Sequence, residues 1–290
     1  MQTLRIRHRT EYRYHEPVTF GEHRLMFRPR DSHDLRHVSS QLTISPTAEV
    51  RWHHDVFSNS IAITEFKDAA DHLTFESEVV VVHYGNEETE FPIDTYARHL
   101  PFAYSCDEVG DLARTNERHY PDPEQTVDQW AIGYLEQGNN ETDKVLAAMT
   151  HAIGSSFDYV TRLEEGTQTP NETLQRRQGT CRDFALLLIE AARSLGLAAR
   201  FVTGYLYDPL EETGGKGLLG TGATHAWVQV FLPGAGWIEY DPTNGIIGGA
   251  NLIRVAVTRD PSQAIVVRGS YFGAPEAFKD MQVSVEVERI

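Results

Sequence analysis

An α+β fold is predicted, with an all-β module first and a mixed helix-and-sheet unit after it. Three observations carry the prediction. Apolar and polar residues alternate through residues 1–83 in short runs separated by turn signals. From about residue 139 the period becomes helical, in two stretches that end near Gly154 and Gly196. The second stretch is followed by three strand-like runs, two of them joined by Pro233-Gly234-Ala235-Gly236, a strong hairpin turn.

The chain has 290 residues, 40 % hydrophobic and 23 % charged, which suits a soluble globular protein with a sizeable core. Its formal charge of −16 argues against a nucleic-acid partner and against an anionic membrane surface. Residues 1–40 are an exception, with eight arginines against five acidic residues, so this segment is +3 and the other 250 residues carry about −19. Because arginines alternate along Arg5-Ile6-Arg7-His8-Arg9, they read as the solvated face of a strand. Cys106 and Cys181 are the only cysteines, too few for a disulfide framework and without the C-x-x-C spacing of zinc sites. The first twenty residues lack an apolar signal-like segment, and no stretch approaches eighteen uninterrupted apolar residues. A reducing, cytoplasmic location is expected.

In chain order, strands are expected around Leu4–Arg7, Gln41–Ile44, Ser60–Thr64 and Thr74–Val82, forming a β-sandwich domain over residues 1–84. The neighbouring His53 and His54 point to opposite faces of such a strand and do not suit one metal ion. Residues 85–138 are broken by Phe91-Pro92, Leu100-Pro101 and Tyr120-Pro121-Asp122-Pro123 and read as a connector with short helices. Cys106 lies there with no histidine nearby and reads as an inert thiol. A second domain spans 139–290. Its first helix starts at Asn140-Glu141-Thr142-Asp143 and runs to Gly154, and Asn171–Gln175 then leads up to a second helix from Cys181 to Gly196. Strands follow at Ala199–Tyr207, Ala223–Leu232 and Gly236–Asp241, and the alternating runs Leu252–Val257 and Met281–Glu288 are expected to complete the same sheet. Glu211–Gly222, with five glycines in twelve residues, reads as a mobile surface loop.

Cys181 begins an apolar helix, where unpaired backbone N–H groups and the positive end of the macrodipole favour thiolate over thiol. Alone, this is weak, since a cysteine beside an apolar run is usually a small buried hydrophobe. The hairpin strengthens it. Folding about Pro233–Gly236 brings His225 and Asp241 to one sheet edge, and a helix packed there adds the thiol. Nucleophile, base and orienting carboxylate then occur in the order Cys, His, Asp.

Gly179-Thr180-Cys181-Arg182-Asp183-Phe184, Thr224-His225-Ala226-Trp227-Val228 and Tyr240-Asp241-Pro242-Thr243-Asn244-Gly245 resemble the three core motifs of the transglutaminase-like superfamily, in particular its bacterial cysteine-protease branch. Residues 1–83, with His8–Tyr14 and Pro17-Val18 near their start, resemble the β-domain that precedes the core in that branch. The resemblance implies a papain-related α+β core, with a helix packed on an antiparallel sheet. It implies Cys181 as nucleophile, His225 as base and then acid, Asp241 orienting the imidazole, and peptide or protein substrates, with no cofactor. The oxyanion would meet the Cys181 N–H and a second donor, for which Tyr159 is the positional candidate. Arg182 stands where glutamine is common, and Leu186 where histidine is frequent. Arg182 is expected to add positive charge beside the thiolate and to favour acidic acyl substrates. Asp183 reads as a favourable first-turn carboxylate.

The expected reaction is acyl transfer through a Cys181 thioester. Hydrolysis stands ahead of transfer to an amine, because water needs no shaped acceptor site. A non-catalytic peptide-binding or scaffold module is the alternative from another class, and it has no use for an intact Cys-His-Asp set. A zinc hydrolase lacks a closely spaced ligand pair.

Overall fold

Alternation along Leu4-Arg5-Ile6-Arg7-His8-Arg9 seeds the longest strand of the computed structural model, which describes residues 1–85, 90–161, 166–209 and 217–290. This strand, β1 (Gln2–Phe20), is followed by β2 (His23–Leu25), β3 (Leu35–Ser45), β4 (Ala48–His54), β5 (Ser60–Phe66) and β6 (Ala70–His83). Leu4, Ile6 and His8 of β1 are buried. Its arginines face outward and pair across strands: Arg5 with Glu288 at 3.0 Å, Arg7 with Glu78 at 3.0 Å and Arg9 with Glu76 at 2.8 Å. Half-exposed, solvent-screened pairs of this kind serve mainly to set register.

The central part supplies α1 (Cys106–Leu112), α2 (Thr126–Gln137) and α3 (Thr142–Ser156), then β7 (Asp158–Tyr159), α4 (Pro170–Arg176), β8 (Gln178–Gly179) and α5 (Cys181–Ser194). The expected connector is partly core, because Val127 and Ala131 of α2 join the cluster around α5. Nearly every residue of α5 from Asp183 to Arg193 is buried. Two of its buried ionisable residues satisfy each other: Arg193 Nη1 donates to Glu190 at 2.9 Å, and Glu190 also accepts from Arg118 Nε and the amides of His119 and Tyr120. Leu195 caps the helix and Gly196 follows in the left-handed region at φ +82°, the usual glycine exit. The segment 171–175 is helical in α4, with Pro170 at its start and a reciprocal Thr169–Glu172 capping box.

The core sheet runs β12 (Ile246–Ile247), β11 (Gly236–Asp241), β10 (His225–Leu232), β9 (Ala199–Leu206), β13 (Leu252–Thr258). Short strands β14 (Val267–Arg268) and β15 (Tyr271–Phe272) then lead to β16 (Phe278–Arg289). The expectation that 281–288 completes the core sheet is corrected here. β13 does join it, but β16 pairs antiparallel with β1 from Leu4↔Arg289 to Tyr14↔Phe278, back in the first module. That module has one sheet of β3, β6, β1, β16 and β15, and a second of β14, β2, β5 and β4.

The core sheet is covered on both faces. Ala199, Phe201, Ala226, Val228 and Val230 pack with α5, while Tyr205, Tyr207, Ile253 and Val255 pack with Leu4, Ile6, Val79 and Val81 of the β-module. Polar links join the two: His8 Nδ1 to Tyr205 Oη at 3.0 Å, the Asn59 amide to the backbone of Val257, and Arg254 between Asp34 and Glu239, each at 2.6 Å. Among the described residues no helix is long and apolar enough to cross a membrane.

Candidate functional site

Cys181 is the first residue of α5, and a reciprocal capping box fixes its place. The Asp183 amide donates to Thr180 Oγ1 at 3.4 Å, and Asp183 Oδ2 accepts from the Thr180 amide and hydroxyl, both at 2.9 Å. The other carboxylate oxygen accepts from the Gln168 amide at 2.7 Å. Asp183 thus ties the start of α5 to the segment before α4, a duty beyond that of a first-turn carboxylate. Thr180 and Asp183 stand in the N-cap/N3 spacing of a box, so that signal was present in the sequence.

His225 opens β10 and Asp241 closes β11. The imidazole Nε2 donates to Asp241 Oδ2 at 2.9 Å. Asp241 Oδ1 accepts from the Thr243 amide at 2.9 Å, and Asn244 Nδ2 donates to Oδ2 at 2.8 Å. Side-chain burial is nearly complete, with exposures of 7 % for Cys181, 1 % for His225 and 0 % for Asp241. Burial pulls the imidazole pKa down, but the Asp241 charge, their hydrogen bond and the Cys181 thiol outweigh it and raise it to about 10. Burial raises the Asp241 pKa, yet His225, Asn244 and the Thr243 amide hold it below the usual carboxylate value. With Nε2 engaged, Nδ1, which has no hydrogen-bond partner among the described residues, is the nitrogen left to serve a thiol. The three residues picked from the sequence therefore meet. The arrangement can keep a proton on His225 beside a sulfur nucleophile.

Tyr159, on β7, is carried to the thiol by the parallel pairing of Tyr159 with Gly179, two residues before Cys181. Its ring lies edge-on to Phe184. Burial first, then the neighbouring Cys181, push the phenol up to about 12, which keeps it a neutral donor.

Arg182 does bring its charge close enough to interact with Cys181, but its donors are engaged elsewhere. Its guanidinium donates to the carbonyls of Pro261 at 2.7 Å and Ala264 at 3.3 Å and lies over the Phe201 ring, 5.0 Å from its centroid. It staples the start of α5 to residues 261–264, and donors spent on carbonyls are not free to choose an acidic substrate. Cys106 is exposed on α1. Among the described residues no group of three or more His, Cys, Asp or Glu could hold a metal ion. Of the expected loop 211–222, residues 211–216 lie outside the described residues.

A thiol at a helix start facing a His–Asp pair carried by an antiparallel sheet defines a class of papain-related cores. The comparisons narrow it. Residues 128–242 match the transglutaminase-like superfamily and residues 4–82 match the bacterial transglutaminase-like N-terminal region. An uncharacterised protein of Mycobacterium tuberculosis (strain H37Rv) is 30 % identical over 291 residues, covering 97 % of this chain and 91 % of its own. One from Mycobacterium leprae is 26 % identical over 295 residues, covering all of both chains. A Cytophaga hutchinsonii structure named as a "Putative Cysteine Protease" superposes with a TM-score of 0.68 at 17 % identity, over 100 % of this chain and 91 % of that one. A short stretch of 67 residues is 36 % identical to a protein-glutamine gamma-glutamyltransferase of Pseudomonas aeruginosa, covering 23 % of this chain and 10 % of that protein. The chain belongs to the transglutaminase-like superfamily.

Proposed function

We propose that this protein is a thiol acyl-transfer enzyme that hydrolyses a peptide or amide bond through a thioester at Cys181. The observation that carries this reading is the His225–Asp241 pair, hydrogen-bonded at 2.9 Å and shut away from water, with Cys181 at the start of α5 near enough to help raise the imidazole pKa. Burying an ionised carboxylate is costly unless it is paired, and a purely structural histidine needs no such partner.

In this reading Cys181 Sγ, its proton held by His225, attacks the carbonyl carbon. The C–S bond forms and the carbonyl oxygen becomes an oxyanion, received by the Cys181 N–H and the Tyr159 hydroxyl. The imidazolium gives its proton to the amide nitrogen as the C–N bond breaks and the amine leaves. A water then attacks the thioester while the neutral imidazole takes its proton. Collapse releases the acid and returns the thiolate and the imidazolium. Asp241 holds the ring and its charge throughout.

Transfer to an amine is the second reading. It is favoured by the burial of Cys181 and His225, which limits water at the thioester, and by the local likeness to the gamma-glutamyltransferase. One experiment decides: a peptide library incubated with and without a primary amine, analysed by mass spectrometry for wild type and Cys181→Ala. Hydrolysed products lost in Cys181→Ala are expected. Amine adducts would give the second reading, and no product in either case would overturn enzymatic activity. In the same assay Tyr159→Phe should lower kcat about 10²–10³-fold with little change in KM.

A further inference from the structure

Residues 217–222 approach the triad from the His225 side, and the Asn244 side chain is one of their anchors there. The Leu219 amide donates to Asn244 Oδ1 at 2.8 Å, and the Leu219 carbonyl accepts from Asn244 Nδ2 at 3.1 Å. The second hydrogen of that Nδ2 goes to Asp241 Oδ2 at 2.8 Å. A primary amide offers two donors and an acceptor, so all three functions of Asn244 are engaged at once. Gly220 comes next, at φ +93°, and a Cβ built on it would lie 2.4 Å from His225 Nδ1. The backbone of the segment therefore sits over the nitrogen that must serve both thiol and leaving group. Further anchors are the Leu218 amide on Asp208 Oδ2 at 2.5 Å and the Gly222 carbonyl, which accepts from the Val285 amide at 3.0 Å. Beneath this cover Cys181 is 7 % and His225 1 % exposed.

We propose that Asn244 is a positioning residue that latches residues 217–222 over Cys181 and His225 while it orients Asp241, so that the segment must leave Asn244 before a polypeptide reaches the thiol. The polypeptide substrate in this statement rests on the proposed function; the latch itself does not. Asn244 also lies in the turn Asp241-Pro242-Thr243-Asn244-Gly245, and a turn former is the plainer role for it. The two roles differ chemically. Aspartate forms such turns as readily as asparagine, but it has no N–H to give to Leu219 or Asp241.

The test measures alkylation of Cys181 in the full chain by iodoacetamide and by a bulky iodoacetyl dye, read at the Cys181 peptide by mass spectrometry so that exposed Cys106 does not contribute. Asn244→Asp should raise the ratio of bulky to small reagent rate by about tenfold, the change expected when one or two hydrogen bonds holding a closed state are lost. Gly220→Ala attacks the same contact from the other side and should raise the ratio likewise, since its Cβ cannot share space with Nδ1. Circular dichroism and urea unfolding identify a variant that is merely unfolded, and the other then decides. An unchanged ratio in a folded variant overturns the latch. Peptide turnover by wild type with an unchanged ratio would leave the acyl-transfer reading standing without it. A raised ratio in a protein that never turns over a peptide would leave the latch and remove that reading.

Discussion

His225 couples the chemistry of the site to the stability of the fold. Its pKa rises on folding from 6.5 to about 10, so the stabilisation it contributes is fully present below about pH 6.5 and is lost as pH climbs through about 10. Asp241 works in the other sense, because its pKa is depressed and its contribution disappears as pH falls below the usual carboxylate range. Urea midpoints at pH 6.5, 8 and 10 should therefore fall steadily for wild type, and Asp241→Asn should flatten that alkaline fall. Parallel curves for the two proteins would show that the pair is not ionised together. At this scale the approach of His225 and Asp241 to the start of α5 is legible in the sequence, since a helix onset, a hairpin turn and the residues flanking them are local signals. Asn244 is not. Two of its three hydrogen bonds join a turn to a loop twenty-five residues earlier, and nothing in Asp-Pro-Thr-Asn-Gly distinguishes a turn former from a clasp. For a related reason the charge that Arg182 brings beside Cys181 can be inferred from sequence, but the direction of its long side chain, onto Pro261 and Ala264, cannot.

Helix α3 shows how an element serves the site without touching substrate. It was expected to stop at Gly154, yet it continues to Ser156, and Gly154 has another purpose. A Cβ there would come within 3.0 Å of the Gly245 nitrogen and 3.1 Å of the Pro242 carbonyl oxygen, so the missing side chain lets the turn that follows Asp241 rest directly on the helix. Gly154→Val should destabilise the protein by about 1–3 kcal/mol, the usual cost of overpacking, and should displace the turn bearing Asn244. Thermal unfolding checks the first effect; an unaltered melting temperature would refute the close approach. Helix α4 was missed although its Thr169–Pro170–Glu172 box was readable, because its single short turn of apolar residues gives no sustained period. Helix α5 was read correctly from its composition. Its burial on every side explains why Glu190 and Arg193, ordinary surface residues by type, had to find partners in residues 115–120, on the neighbouring β-strand and at Arg259.

Across the whole molecule the first module and the transglutaminase-like core are less separable than their composition suggests. The alternating pattern of residues 281–288 identified a strand but could not say which edge it would join, since two partners with equal apolar faces look alike in sequence. It joins β1, not the core sheet, and the Ile290 amide donates to the Thr3 carbonyl at 3.0 Å. A chain shortened after residue 277 should therefore leave the Leu4–Tyr14 edge of β1 open. Reduced solubility, self-association and a lower melting temperature are expected by size-exclusion chromatography and calorimetry. A monomer with the wild-type melting temperature would contradict this. The same pairing has a consequence during synthesis. β16 begins about 250 residues of chain after β1 ends. At about 5–20 residues per second, the interval between them is tens of seconds, during which one side of β1 has no partner. The N-terminal module cannot mature as a finished unit while the rest of the chain is being made. A nascent chain stalled before residue 278 should therefore present β1 to chaperones, and release of that segment should coincide with completion of the last strand.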